Sequence, residues 1–375
     1  MASRRPAEVF PPGDYVREEI EARGWSQADL AEILGRPVAA VYELIAGKRG
    51  VSIETAKGLA AAFGTSAEVW IKLDTAYQLY KSESTKDTDI ALRARLFEKA
   101  PIKEMVKRGW IEPSENPHVL KSRVLKFLEI ESLDDEPLLA HAARKATYYF
   151  QVPSPGQTAW IFRVKHIAKT IPVPKYSKKQ LFEAIQELRT LIHEPMETRH
   201  VSRVLAAAGV RFVVVQPLPG SKLDGACIWI DQTPVVALTL RFDRIDNFWF
   251  VLMHELSHVA EGETALDEDM LNQSEGEDDE RPEAEVVADQ TALELLVSQQ
   301  KLDSFIMRTR PLYSARKIAA FAQVNSVHPG IVVGQLQHRK ELAYSNFRKD
   351  LVPVRDIVVA SSLTDGWGSV LPSSL

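Results

Sequence analysis

Residues 248–259 read FWFVLMHELSHV, and His254, Glu255 and His258 within them have the types and spacing of a hydrolytic metal site. On a helix, side chains four residues apart lie one turn above another on the same face, so both imidazoles can reach one ion. Glu255 projects beside them. Zinc hydrolysis needs two neutral nitrogen ligands, an open position for water and a carboxylate that takes the water's proton. The alternative is a pair of core histidines bonded to backbone carbonyls, which leaves Glu255 without a purpose.

Sites of this kind recruit one more His or carboxylate from a second helix. Downstream, Glu285, Asp289, Ala292 and Leu296 fall at helical spacing on one stripe, so two carboxylates share an apolar face. Buried carboxylates need a cation or strong donors. Glu285 is expected to be the third ligand, and Asp289 the acceptor for a ring N–H of His254 or His258. Glu283 competes for the ligand role if the helix begins later. Glu275, Glu277, Asp278, Asp279 and Glu280 sit among Ser, Gly and Asn and read as a solvated loop. His328 and Tyr313 are the candidates for stabilising a transition state, with a structural role as the alternative for each. His118, His141, His166, His193 and His200 are scattered and are given no role.

The elements that must position these groups follow from local pattern. Asp246 is a candidate N-cap for the HExxH helix, which is apolar almost all round and so expected to be buried, and Gly262 can end it in a left-handed turn. Before it, residues 210–218, 224–230 and 234–240 read as strands of a small sheet. Val235 to Leu240 is either the free edge to which an extended peptide adds or an interior strand. Residues 92–100, 101–110, 120–128, 160–169 and 178–192 show helical spacing. The tail after Leu351 has little periodicity and reads as partly flexible.

The 375 residues suffice for two or three domains. The expected division is 1–82, 83–205, 206–345 and a tail 346–375, in an α+β chain that is mainly helical. A net charge of -5 gives no basic field for non-specific nucleic-acid binding, so a DNA contact must come from a local surface. No long apolar run suits a membrane span and the N-terminus lacks the apolar core of a signal peptide, so a cytoplasmic protein is expected. Cys227 is the only cysteine, which excludes an internal disulfide and a cysteine zinc cluster.

Residues 14–80 read as five short helices separated by glycine turns. Ser26 to Asp29 forms a capping box at the start of the second, and Pro37 opens the third. Ala31, Gly35, Val41 and Leu44 stand where a helix-turn-helix needs a small residue at the crossing, a glycine in the turn and two apolar anchors. The groove-facing residues would be Gln27, Ala39, Tyr42, Lys48 and Arg49. Of these, Gln27, Lys48 and Arg49 can hold phosphates. Base edges are normally read by Arg, Lys, Asn, Gln or Ser, and the start of the third helix is nearly bare of them. The same module therefore also suits docking of a protein.

This module resembles the HigA-type antitoxins of the helix-turn-helix repressor class. The likeness runs from Pro12-Gly13 through Trp25-Ser26-Gln27 and the turn 46–50 to Phe63-Gly64-Thr65-Ser66 and Trp70. The later part resembles the ImmA/IrrE-type metallopeptidases, through Arg244 to Phe248 running into the HExxH motif and through Glu285-Val286-Val287-Ala288-Asp289. Val287 stands where that family commonly has a further Glu. Residues 95–110 and 328–334 also look like segments of longer members that join the two parts. The resemblance implies a zincin-like domain with Zn2+ on His254, His258 and Glu285, and Glu255 as general base and acid. It implies limited cleavage of one regulatory protein, a repressor or toxin partner. The alternative is a non-enzymatic antitoxin and transcriptional regulator that binds a toxin and operator DNA, with a structural or sensory metal site. Repressors of this class usually dimerise, so a homodimer is expected.

Overall fold

The structure is a computed structural model, and it describes residues 9–81, 85–137, 153–263, 265–268 and 282–366. His141, the acidic residues Glu275, Glu277, Asp278, Asp279 and Glu280, and residues 82–84 lie outside the described residues. The chain is mainly helical with a small mixed sheet. It divides into two compact units, Met1–Arg93 and Ala94–Leu375.

The first unit contains α1 (Pro12–Arg23), α2 (Gln27–Ile33), α3 (Val38–Ile45), α4 (Ile53–Phe63) and α5 (Ala67–Lys81). The capping box is present: Asp29 N–H donates to Ser26 Oγ at 3.2 Å, and Ser26 N–H donates to Asp29 Oδ2 at 2.7 Å. Two N–H groups that α2 leaves without a helical partner are thereby satisfied. Gly35 takes φ +61° in the turn, where a side chain would be strained. Leu30, Ala31, Val41, Leu44 and Ile45 pack α2 on α3, and Val16, Leu59 and Trp70 close the core from α1, α4 and α5. Trp25 stacks on Phe63, which meets Trp70.

α6 (Thr85–Lys99) crosses the division after Arg93. The second unit continues with α7 (Ile102–Lys107), α8 (Pro117–Phe127), α9 (Pro155–Ala168), α10 (Lys178–Leu191) and α11 (Val201–Ala207). Three strands follow, β1 (Arg211–Val214), β2 (Leu223–Ile230) and β3 (Thr233–Leu238). Beyond them come α12 (Ile245–Glu261), β4 (Ala265–Glu268), α13 (Glu283–Leu296), α14 (Gln299–Thr309), α15 (Ala315–Val324), α16 (Pro329–His338), α17 (Arg355–Val359) and β5 (Leu363–Thr364).

The sheet order is β4-β2-β3-β1-β5. β1 pairs in parallel with β3 and β5, whereas β2 pairs antiparallel with β3 and β4. Val235 to Leu238 are thus flanked on both sides, by β2 through Ala226↔Ala237 and by β1 through Val213↔Ala237. The reading of this strand as a free edge is corrected, since its backbone groups are already in ladders. The described edges are β4 and β5.

Against the sheet lies α12, buried from Ile245 to Val259 except at Phe250. Its N-cap is Arg244 and not Asp246. Asp246 sits in the first turn and accepts from Arg244 Nε at 3.1 Å and Nη2 at 2.6 Å. The carboxylate still lies where the helix dipole favours it, but it is held by a guanidinium instead of capping the backbone. Residues of α10, α11, the sheet, α12 to α16 and α17 share one core, including Leu188, Val204, Trp249, Ala292, Leu336, Val354 and Val358. The expected separation of 83–205 from 206–345 is absent from that core. The tail reading is corrected too: Val354 and Val358 are buried, and β5 adds to the sheet. Two apolar residues spaced four apart were too short a signal for periodicity to register. Residues 367–375 lie outside the described residues. Among the described residues no helix is long and apolar enough to cross a membrane.

Just past α8, Glu129 binds Lys165 at 2.5 Å and Lys169 at 2.8 Å, both on α9. Partial burial pushes its carboxyl upward, but hydrogen bonds and charge from the two lysines prevail and bring it down to about 2. Because the folded value lies below the unfolded one, this contribution to stability is full above the ordinary carboxylate range and is lost as pH falls toward about 2. Glu129→Gln is expected to lower Tm at neutral pH by at most about 4 °C, the scale of a surface pair of roughly 0–1 kcal/mol. In scanning calorimetry the gap from wild type should close as the pH falls toward about 2. A gap constant with pH would show that the ion pairs contribute nothing.

Candidate functional sites

His254 and His258 project from the same face of α12, with Nε2 atoms 3.0 Å apart. α13 crosses α12 and brings Glu285 to them, Oε2 lying 3.3 Å from His254 Nε2 and Oε1 3.5 Å from His258 Nε2. All three side chains are buried. Glu285 shares the buried stripe of α13 with Ala288, Ala292 and Leu296, while Glu283 begins the helix in an exposed position and lies outside the cluster.

Each imidazole is held from behind. His254 Nδ1 lies 2.8 Å from Asp289 Oδ1, one turn beyond Glu285 on α13. His258 Nδ1 lies 3.1 Å from Glu263 Oε2. Asp289 lies where the sequence places it, whereas Glu263 is brought in by the fold. A turn after α12 places it: Gly262 is left-handed at φ +73°, Gly262 N–H donates to Val259 O, and Glu263 N–H donates to His258 O at 2.9 Å. That pair of hydrogen bonds is the Schellman pattern, which folds the residue after the glycine back over the last helical turn. Glu263 O in turn accepts from Trp229 Nε1 on β2 at 2.8 Å. The signal was an acidic residue directly after the helix-ending glycine, five positions beyond His258.

This arrangement fits a divalent ion. With the Nδ1 of each ring facing a carboxylate, the tautomer protonated at Nδ1 leaves both Nε2 atoms to present lone pairs toward each other and toward the Glu285 carboxylate. Ligands held about 2.0–2.1 Å from a tetrahedral zinc stand roughly 3.3 Å apart, close to the three separations here. Burial pushes the Glu285 carboxyl upward, but hydrogen bonds and charge from His254 and His258 prevail and hold it below the ordinary carboxylate range. Metal binding would therefore release protons.

Glu255 is completely buried beside the cluster. A Cβ at Gly225 of β2 would stand 2.2 Å from Glu255 Oε1, so the absence of a side chain there gives the carboxylate its place. Next to Gly225, Asp224 accepts both Nε and Nη2 of Arg241, which anchors that end of β2. Phe250, whose ring lies 6.2 Å from that of His254 and 6.5 Å from that of His338, borders a cavity of about 40 Å³ between α12, α13 and α16. Its wall also includes Asp246, Asn247, Leu293, Leu296, Ile331, Gly334, Gln335 and His338.

The structure does not add His328 or Tyr313 to this cluster. His328 is the N-cap of α16, its Nδ1 accepting Gly330 N–H at 3.1 Å, and burial pushes its pKa down. Tyr313 donates to Glu341 Oε2 at 2.8 Å, and burial together with that carboxylate raises its hydroxyl to about 12. Both polar ends are engaged in holding the fold, which is the alternative the sequence left open.

In the first unit, Ala39 and Tyr42 are exposed on the outer face of α3, and Lys48 and Arg49 are exposed in the turn after it. Their N–H groups both donate to Glu43 O, which fixes that turn. Gln27 opens α2 and is half-buried. Arg36, just before α3, pairs with Glu54 at 3.1 Å.

Elemental analysis of purified wild type is expected to find about one zinc per chain, and Glu285→Ala much less. Glu263→Gln and Asp289→Asn should keep the metal but weaken it about 10–100-fold in chelator competition, the usual effect of losing a carboxylate behind a ligating histidine. Unaltered affinity in Glu263→Gln would remove that residue from the site.

A family model described as Helix-turn-helix matches residues 16–70. Virulence-associated protein I of Dichelobacter nodosus is 31% identical over 88 residues, 23% of this chain and 82% of that protein. The uncharacterized HTH-type transcriptional regulator YddM of Escherichia coli strain K12 is 28% identical over 76 residues, 20% of this chain and 81% of that protein. Among solved structures, an addiction module antidote protein of a HigA family from Coxiella burnetii aligns with TM-score 0.22 and 29% identity, over 22% of this chain and 92% of that one. Pseudomonas aeruginosa antitoxin HigA with the higBA promoter gives TM-score 0.22 and 28% identity, over 22% of this chain and 91% of that one. Through residues 16–70, the chain belongs to the helix-turn-helix family.

Proposed function

We propose that this protein is a transcriptional regulator of antitoxin type, which binds operator DNA as a homodimer through its N-terminal module and carries a metal centre in its second unit. The observation that carries this reading is the match of residues 16–70 to the helix-turn-helix model, together with the buried Leu30, Ala31, Val41 and Leu44 that fix α2 against α3. In such a pair the second helix enters the major groove with its N-terminal residues at the base edges. Lys48, Arg49 and Gln27 would position it on phosphates. Gel-shift assays on DNA upstream of the protein's own gene test this: Lys48→Ala with Arg49→Ala should bind more weakly and depend less on salt. Equal binding by that variant, or none by wild type, would overturn it.

A second reading, favoured by Glu255, makes the metal centre hydrolytic. Glu255 is completely buried next to the two histidines and accommodated by a glycine on the neighbouring strand, the place a general base would take. Here the protein is a zincin-like, ImmA/IrrE-type endopeptidase that makes limited cuts in a repressor or toxin-like regulatory protein. His254, His258 and Glu285 would hold zinc, which supplies Lewis acidity to the scissile carbonyl. Glu255 takes the proton from the attacking water and delivers it to the leaving amine. β4, paired on one side by β2, offers the edge to which an extended segment could add. The cavity beside Phe250 has room for a short side chain.

Glu255→Gln discriminates between the readings. Under the hydrolytic one it should retain zinc and fold but stop cleaving the protein partner recovered with it. Unchanged regulation in the cell by this variant would leave the metal centre structural or sensory.

A further inference from the structure

The outer face of α3 has an unusual chemistry for a helix that enters a major groove. Its solvent stripe is Val38, Ala39, Tyr42 and Glu43, with Val38 51% and Tyr42 56% exposed. The core-facing positions Val41, Leu44 and Ile45 already hold the module together, so the exposed pair adds nothing to that core. Guanine is recognised by a forked cation on O6 and N7, and adenine by the amide of Asn or Gln on N6 and N7. No Arg, Lys, Asn or Gln stands anywhere on α3. Arg36 precedes the helix and is paired to Glu54, and Lys48 and Arg49 follow its end.

What remains on the stripe is apolar surface and one carboxylate. The major-groove feature that matches apolar surface is the C5-methyl group of thymine, and the feature that matches a carboxylate is the N4 amino group of cytosine. Glu43 facing O6 and N7 of guanine would set acceptor against acceptor. We propose that α3 reads thymine methyl groups with Val38, Ala39 and Tyr42, and that Glu43 accepts from cytosine N4, giving a half-site read as a run of pyrimidines on one strand. This rests on the DNA-binding reading above. A protein partner on the same stripe is the competing occupant. The groove is favoured because the stripe begins at the first turn of the second helix of the pair, the part that meets base edges in this motif.

The test is selection with the full-length protein from duplexes with a randomised centre, followed by single-position substitution in the selected site. Replacing thymine by deoxyuridine removes only the methyl group. At two or more positions it should weaken binding roughly fourfold each, the worth of burying one methyl. Val38→Ser, an exposed change that leaves the fold intact, should abolish the penalty at one of those positions. Glu43→Gln should relax the preference for cytosine. Selected sites in which deoxyuridine is neutral and 7-deazaguanine is costly would overturn the thymine reading while leaving DNA binding in place. Failure to enrich any sequence would overturn both, and if Val38→Ser then lost a co-purifying protein, the stripe would be a protein-docking face.

Discussion

Three electron-rich groups meet in the interior of the second unit: two imidazole Nε2 atoms 3.0 Å apart and the Glu285 carboxylate 3.3 and 3.5 Å from them. In water such a set would be dispersed; inside a protein it persists only when positive charge sits among its members. Much of the surrounding architecture serves that requirement. α12 is buried almost all round, so its histidines cannot turn to solvent. Asp289 and Glu263 fix the two rings from opposite sides, and Trp229 ties the Glu263 backbone to β2. Gly225 on that same strand leaves the space that Glu255 occupies.

The first unit follows a different logic. Its helices are short and capped, and its core is a compact cluster around Leu30, Ala31, Val41, Leu59 and Trp70. That core presents α3 as a rigid rod whose outer stripe is free of structural duty. Function there depends on what the stripe displays, and it displays methyl groups, a phenol and a carboxylate in place of amides and guanidiniums.

Local pattern made much of this legible. The helix ends at Gly262, the capping box at Ser26 and Asp29 and the crossing at Ala31 are written in short windows, because each depends on hydrogen bonds within a few residues. The spacing of His254 and His258, and of Glu285 and Asp289, is likewise a property of one helix turn. Glu263 rests on the same kind of local pattern, an acidic residue directly after the helix-ending Gly262. Asp246 misled because an acidic residue suits both the cap and the first turn, and only Arg244 folding onto it decides between them.

By itself the sequence determined many of the helices, among them the five short N-terminal ones and those carrying His254 and Glu285, where the helix-turn-helix lies and which residue types could gather around an ion, since these rest on periodicity and spacing along the chain. Only the tertiary structure decided that Glu285 and not Glu283 reaches the histidines, that His328 and Tyr313 are engaged elsewhere, and that β3 lies inside the sheet with β4 at its edge. It also drew the stretch containing Val354 and Val358 into the core. Each of these depends on pairing between residues far apart in the chain, and a strand carries no mark of its neighbours: the same alternating residues suit an edge or an interior until the partners arrive.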